Sequence, residues 1–226
     1  MTTNTNDLIR RLAANVTPVR ALPRPWARTA AWLAVSVPYV AVVAIAMSVR
    51  NDLSSRLTDP RFVAEGVTAL AIGIVAAVAA FATVVPGYGR RWSMLALVLL
   101  AVWLGNLGWG CVKDWIQFGP GGVLIETDWS CFPAILLAGG VPTAAMAIMM
   151  RRGAPLTPIV TMALGGLAAG GLADVAMRFH HREAGVMVVA WHLAAVFMLT
   201  AVSGAAGRRV LQWRDESESL SGTAAG

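Results

Sequence analysis

Two cysteines and a pair of adjacent histidines are the side chains whose types and spacing could do chemistry in this 226-residue chain. Cys111 and Cys131 flank one polar segment, and His180 and His181 sit in another. Thiolates and imidazoles are soft ligands of the kind that bind Zn(II), Cu(I) or heavier thiophilic metals. Two thiols in an oxidising compartment can instead form a disulfide. The chain has no CxxC or HxxxH spacing, so plainer readings stay open. In those, each cysteine is a small apolar residue at the end of a helix and the histidines are solvated. Asp114, Glu126 and Asp128 add carboxylates between the cysteines, as polar covering or as further ligands. A metal ion would be a signal here, and no resident cofactor is expected.

Ionisable residues inside apolar runs form a second group, because each is costly in hydrocarbon and usually faces the interior of a bundle. Glu65, Asp174 and His192 qualify. Glu65 lies near the start of its run, where it can snorkel to water or pair with Arg61 four residues earlier. Asp174 stands four residues before Arg178. His192 lies deeper, roughly 12 Å into its run at 1.5 Å per helical residue. A buried interhelical hydrogen bond is the plain reading of His192; a proton relay or haem ligand is the sharper one.

Six apolar runs must position these residues. They cover approximately residues 29–48, 62–85, 92–110, 131–150, 159–177 and 184–204. About 20 apolar residues cross a hydrocarbon core roughly 30 Å thick. The composition agrees, with 57% apolar and 13% charged residues and a mean hydropathy of +0.65. The runs are continuous rather than alternating, which disfavours strands. The expected fold is an all-α membrane protein, a six-transmembrane-helix bundle preceded by a short amphipathic N-terminal cytoplasmic segment. Residues 1–27 form the N-terminal tail, 28–207 the membrane domain, and 208–226 a largely disordered C-terminal tail rich in Ser, Glu and Gly. The first apolar run is expected to be retained, since it is longer than a signal-peptide core and follows a long polar leader.

Charge sets the expected orientation. The N-terminal tail, the second and fourth connections and the C-terminal tail hold 12 of the 18 Lys and Arg residues. The other connections hold Arg50, Arg56, Arg61, Lys113, Arg178 and Arg182. By the positive-inside rule both termini face the cytoplasm, which puts the cysteines and His180-His181 at the outer face. The pI near 10.6 is then a topology signal, implying a lipid bilayer as partner and no direct nucleic acid. Gly165, Gly166, Gly170 and Gly171 give small-xxx-small spacing for close helix approach, within one bundle or between copies in a homo-oligomer. Tryptophans at 26, 32, 92, 109, 115, 129 and 213 gather near the span boundaries, as interfacial belts do.

The N-terminal tail is the candidate binding surface. Leu8, Ile9, Leu12, Val16 and Val19 recur at helical spacing, with Arg10 and Arg11 beside them. Thr5, Asn6 and Asp7 offer capping side chains, and Pro23 and Pro25 interrupt the helix before the membrane. The same stripe would also suit an amphipathic segment lying on acidic lipid, or the tail is an unfolded leader.

Seven motifs in order carry a resemblance. They are DLIRRLAANVTPVRAL followed by Pro25-Trp26, DPRF, LGWGC, Cys131-Phe132-Pro133, RRGAPLTP, WHLAAV and RRVLQW, spanning Asp7 to Trp213. The set resembles the NrsF family of membrane anti-sigma factors, negative regulators of an extracytoplasmic-function (ECF) sigma factor of the sigma-F type. The resemblance implies a six-span protein of the bacterial inner membrane that holds an ECF sigma factor at the cytoplasmic face. Release follows when outer-face cysteines meet metal ions or oxidants. Cys131 looks like one of the family's cysteine positions. Where the family commonly has another, this chain has His180-His181, which leaves either a Cys111 and Cys131 pair or a mixed Cys/His metal site. Leu8, Ile9, Arg11, Leu12 and Val16 would make the sigma-factor contact.

Other classes fit less well. A small transporter or channel would need polar groups aligned across the membrane, and His192 alone is a poor pathway. A thiol oxidoreductase usually needs a CxxC-type pair with a second pair or quinone site. A structural membrane partner would be indifferent to Cys→Ser changes. GxxxxGK[ST], GxGxxG, GxSxG and HExxH motifs are missing from the chain, and no enzyme activity is expected.

Overall fold

Prolines and glycines punctuate the helices. The computed structural model describes residues 5–14, 22–47, 50–85, 87, 91–119, 131–153, 155–180 and 186–211; the side chains of 111, 114, 117, 118 and 186–189 are outside that description. The helices are α1 (Thr5–Ala14), α2 (Pro25–Ala46), α3 (Leu53–Arg56), α4 (Pro60–Thr83), α5 (Arg91–Phe118), α6 (Cys131–Met150), α7 (Pro158–Met177) and α8 (Val186–Val210). Pro25, Pro60 and Pro158 each open a helix at its first turn, where the missing N–H costs nothing. Asp59 caps α4, its carboxylate accepting the Arg61 N–H at 2.9 Å.

Six of these helices, α2 and α4 to α8, are long and apolar enough to cross a membrane, and no strand occurs among the described residues. The fold is a helical membrane bundle. One boundary differs from the expectation. The third apolar span ends at Gly110 as expected, but no loop starts at Lys113, because α5 itself continues to Phe118. Neither Gly108 nor Gly110 stops it, since a lone glycine costs a helix only about 1 kcal/mol. Gly119, at φ +64°, lies in the left-handed region that closes helix C-termini. Cys111 therefore lies inside a helix. The single turn α3, in the first connection, had no sequence signal.

Helix α7 is the axis of the bundle. It packs against α8, α4, α6 and α2, and 78% of its span is buried. Its glycines make this approach feasible. A Cβ on Gly171 would lie 3.0 Å from the Ala69 carbonyl oxygen and 3.1 Å from the Gly73 nitrogen, both on α4. A Cβ on Gly166 would lie 2.5 Å from the Leu199 carbonyl oxygen on α8. The small-residue spacing thus serves contacts within one bundle. By contrast α5 packs chiefly on α4, and only 22% of its span is buried.

Polar contacts tie the rest together. Trp32 is fully buried, and its indole N–H donates to the Pro142 carbonyl at 2.9 Å, joining α2 to α6. The hydroxyls of Thr83 and Thr161 lie 2.9 Å apart between α4 and α7. At the same end of the bundle, Arg28 is buried beneath the start of α2. Its guanidinium lies 4.5 Å from the Phe81 ring centre and donates to the Met149 carbonyl at 2.7 Å. At the opposite end, the Arg50 N–H donates to the Phe179 carbonyl at 2.9 Å, so the first and fifth connections meet.

Candidate functional site

The end of the bundle where those two connections meet holds a chain of charged side chains threaded between helices. Arg61 and Glu65 occupy successive turns at the start of α4, and the Arg61 Nε–H donates to Glu65 Oε1 at 3.0 Å. The other carboxylate oxygen of Glu65 accepts from Arg178, just past α7, at 2.9 Å. Arg178 Nε stands 3.7 Å from Asp174 Oδ2, an ion pair beyond hydrogen-bond reach. Asp174 Oδ1 meets His192 Nδ1 on α8 at 2.6 Å. Glu65, Asp174 and His192 are all buried, with Asp174 only 1% exposed. Removing one partner from a buried pair typically costs about 3–5 kcal/mol, because the other charge is left without compensation.

One end of this chain meets a cysteine-bearing segment directly, and the other approaches one through the residue next to it. Gly110 precedes Cys111 on α5, and a side chain there would overlap the Arg61 guanidinium. The glycine is what lets Arg61 lie against the α5 backbone. At the other end, Phe132 follows Cys131 at the start of α6 and meets Trp191, which precedes His192. Their rings pack edge to face with centres 5.7 Å apart. Phe62 adds an aromatic floor, its ring centre 5.7 Å from the Arg178 guanidinium carbon and 6.0 Å from that of Arg50. Arg50 also forks onto Asp52 at 2.6 and 2.7 Å. That hydrogen bonding, more than any other influence, holds the Asp52 carboxyl well below the ordinary carboxylate range.

The residues expected to do chemistry are placed unevenly. Cys131 is fully buried as the first residue of α6. His180 is half-buried just after α7, whereas His181, Glu126 and Asp128 lie outside the described residues, as do the side chains of Cys111 and Asp114. Among the described residues no group of three His, Cys, Asp or Glu side chains is placed to hold a metal ion. Asp174 and His192 come together, and the pairings of Glu65 with Arg61 and Asp174 with Arg178 follow the four-residue spacing. Glu65 does not snorkel; the second arginine, from α7, holds it inside. On α1 no residue is buried, and Leu8, Ile9 and Leu12 are 50%, 57% and 62% exposed, with Arg11 exposed beside them. Val16 lies outside the described residues.

Three contacts had no sequence signature: Arg178 with Glu65, Arg61 with Gly110, and Arg28 with Phe81. The arginines were visible only as orientation signals. An arginine within a turn of an apolar run could have been flagged as a buried partner, but its acceptor comes from a distant helix.

Six apolar spans make this a multi-pass membrane protein, with an amphipathic helix, α1, that buries none of its residues. Residues 12–213 match the family model NrsF, described as negative regulator of sigma F, and the chain belongs to that family. Negative regulation of a sigma factor is accordingly its role, its partner is a sigma factor, and its family is not an enzyme class. Comparison with curated proteins and with solved structures finds no match.

Proposed function

We propose that this chain is an integral anti-sigma factor of the bacterial inner membrane. It holds an ECF sigma factor at the cytoplasmic face through α1 and releases it when Cys111 and Cys131 at the outer face meet thiophilic metal or oxidant. The observation that carries the reading is α1 itself. It presents Leu8, Ile9 and Leu12 on a helix that buries none of its residues against the bundle. An amphipathic helix laid into a partner's groove uses such anchors, and Arg11 would flank the contact. Val16 would extend the stripe. The excess of arginine on the tails and on the second and fourth connections supports cytoplasmic termini.

For the sensing half, the support is that the residues next to the cysteines, Gly110 and Phe132, lie against Arg61 at one end of the ion chain and against Trp191, the neighbour of His192, at the other. His180 and His181 are the further ligands if the signal is a metal. A coupling of about 1–3 kcal/mol between the two faces would change sigma-factor affinity about 5- to 150-fold. The transporter reading draws no support from Glu65, Asp174, Arg178 and His192, which link to one another through the start of α4 and the end of α7 instead of lining a path between helix midpoints.

Affinity capture of the tagged protein from its own membranes, with and without diamide or cadmium ion, tests both halves. The expected result is a co-purifying sigma factor that is lost on treatment but kept in a Cys111→Ser/Cys131→Ser variant. Leu12→Asp should lose the sigma factor without any treatment. Retention by Leu12→Asp would overturn the role of α1, and loss from the double serine variant would overturn the role of the cysteines.

A further inference from the structure

The ion chain runs between the two cysteine-bearing segments, meeting one directly and the other through the residue next to its end. It begins where Arg61 lies on Gly110, runs through Glu65, Arg178 and Asp174, and ends at His192 beside Trp191 and Phe132. Its five members come from α4, the end of α7 and α8, while the segments at its two ends belong to α5 and α6. Three of its links are hydrogen bonds, with directional requirements that apolar packing lacks, and the fourth is the Arg178–Asp174 ion pair, so the chain favours one relative placement of these helix ends.

Helix α4 also reaches the other end of the bundle. Phe81 lies 16 residues beyond Glu65, about 24 Å away along a helix at 1.5 Å per residue, and it is the ring on which Arg28 rests. Arg28 stands in the first turn of α2, where the N-terminal tail joins the membrane domain. A shift of α4 set by the chain at one end would therefore be felt at the root of the tail.

We infer that the chain Arg61–Glu65–Arg178–Asp174–His192, buried from Glu65 inward, is a latch holding the sigma-factor-retaining arrangement, with Arg61 and Glu65 as the positioning residues through which changes at Cys111 and Cys131 act. The inference rests on the proposed sensing role of those cysteines. In the unstimulated protein the latch favours one packing of α4. A disulfide or bound metal at the cysteine-bearing segments would pull against it, through Gly110 on Arg61 at one end and through Phe132 on Trp191, the residue before His192, at the other. Weakening the latch lowers the free energy the signal has to supply, so the same protein responds to less of it.

The test uses the full chain in membranes with its sigma factor bound, titrated with cadmium ion and separately with diamide, reading the midpoint dose for release. Wild type should release, and Cys111→Ser/Cys131→Ser should not. Glu65→Gln should retain the sigma factor without treatment and release it at a dose about fivefold or more below wild type, the lower end of typical allosteric coupling. Arg61→Ala should shift the midpoint in the same direction but by less. That side chain is 40% exposed, so the variant tests the latch if Glu65→Gln does not fold. Gly110→Ala, which displaces the Arg61 guanidinium, should shift it likewise. A merely structural role would lower thermal stability without moving the midpoint. Midpoints unchanged or raised in the folded variants, with the serine variant unresponsive, would overturn the latch and leave the sensing role standing. A serine variant that responds like wild type would overturn the sensing role, and the latch with it.

Discussion

Helices α7 and α5 are both apolar enough to span a membrane, with the same mean hydropathy of 1.6, yet 78% of one span is buried and only 22% of the other. Hydropathy reports whether a helix belongs in lipid, and lipid is as apolar as any neighbouring helix, so it does not rank helices by centrality. What separates the two is the shape of their surfaces. Glycines at 166, 170 and 171 let α4 and α8 close on α7 to backbone contact. On α5, Gly105 and Gly108 have no atom within 4 Å of where a Cβ would stand. A small residue is a packing device only where a partner takes up the space.

The sharpest way to break this contrast is to fill both glycine positions. Gly166→Val should destabilise the bundle by about 3 kcal/mol or more, because the added carbon would meet the Leu199 backbone, which cannot yield as a side-chain tip would. Gly105→Ala, whose methyl has open space, should not destabilise the bundle and should add up to about 1 kcal/mol of helix propensity. Thermal unfolding of the purified protein in detergent measures both, and comparable losses would end the distinction between axis and periphery.

A comparable loss is expected at the charged end of α7. Asp174→Ala leaves His192 without its carboxylate and should cost about 3 kcal/mol. Asp174→Leu/His192→Leu, which removes both partners, should recover most of that loss in the same assay. No recovery would mean that the pair supplies net stability.

Smaller effects should follow where single polar contacts join helices away from the axis. Trp32→Phe removes the indole donor to the Pro142 carbonyl and should cost about 1 kcal/mol from the hydrogen bond. Smallest is the connection between α2 and α4. The Asp52 carboxyl is depressed chiefly by its hydrogen bonds from Arg50, so its stabilising effect is present above the ordinary carboxylate pKa of about 3.9 and is lost as pH falls through the lower, folded value. Wild type should therefore exceed Asp52→Asn slightly in melting temperature at pH 7, with the difference shrinking on acidification below pH ~4. A difference that grew with acid would contradict the assigned sign.

Much of this molecule was legible one residue at a time. The six spans follow from runs of apolar residues, and the helix starts at Pro25, Pro60 and Pro158 from proline's fixed φ and missing N–H. The pairings of Arg61 with Glu65 and Asp174 with Arg178 follow from the helical repeat, because residues four apart share a face whatever surrounds them. The exposed stripe of α1 was equally a matter of spacing. These are local properties, determined by the chain within a turn or two of each residue.

Contacts across the bundle were not legible in that way. That Glu65 takes its second arginine from 113 residues away, that His192 finds Asp174, and that Gly110 makes room for Arg61 depend on which helix ends become neighbours. Hydrophobicity is non-directional and leaves that choice open; steric fit at the glycines of α7 and the pairing of buried charges make it. The sequence alone determined six apolar helices, their polar ends and an amphipathic segment in the tail. Only the tertiary structure decided that α7 is the axis and that its charged end ties α4 to α8, because close backbone approach and ion pairing are properties of two surfaces together.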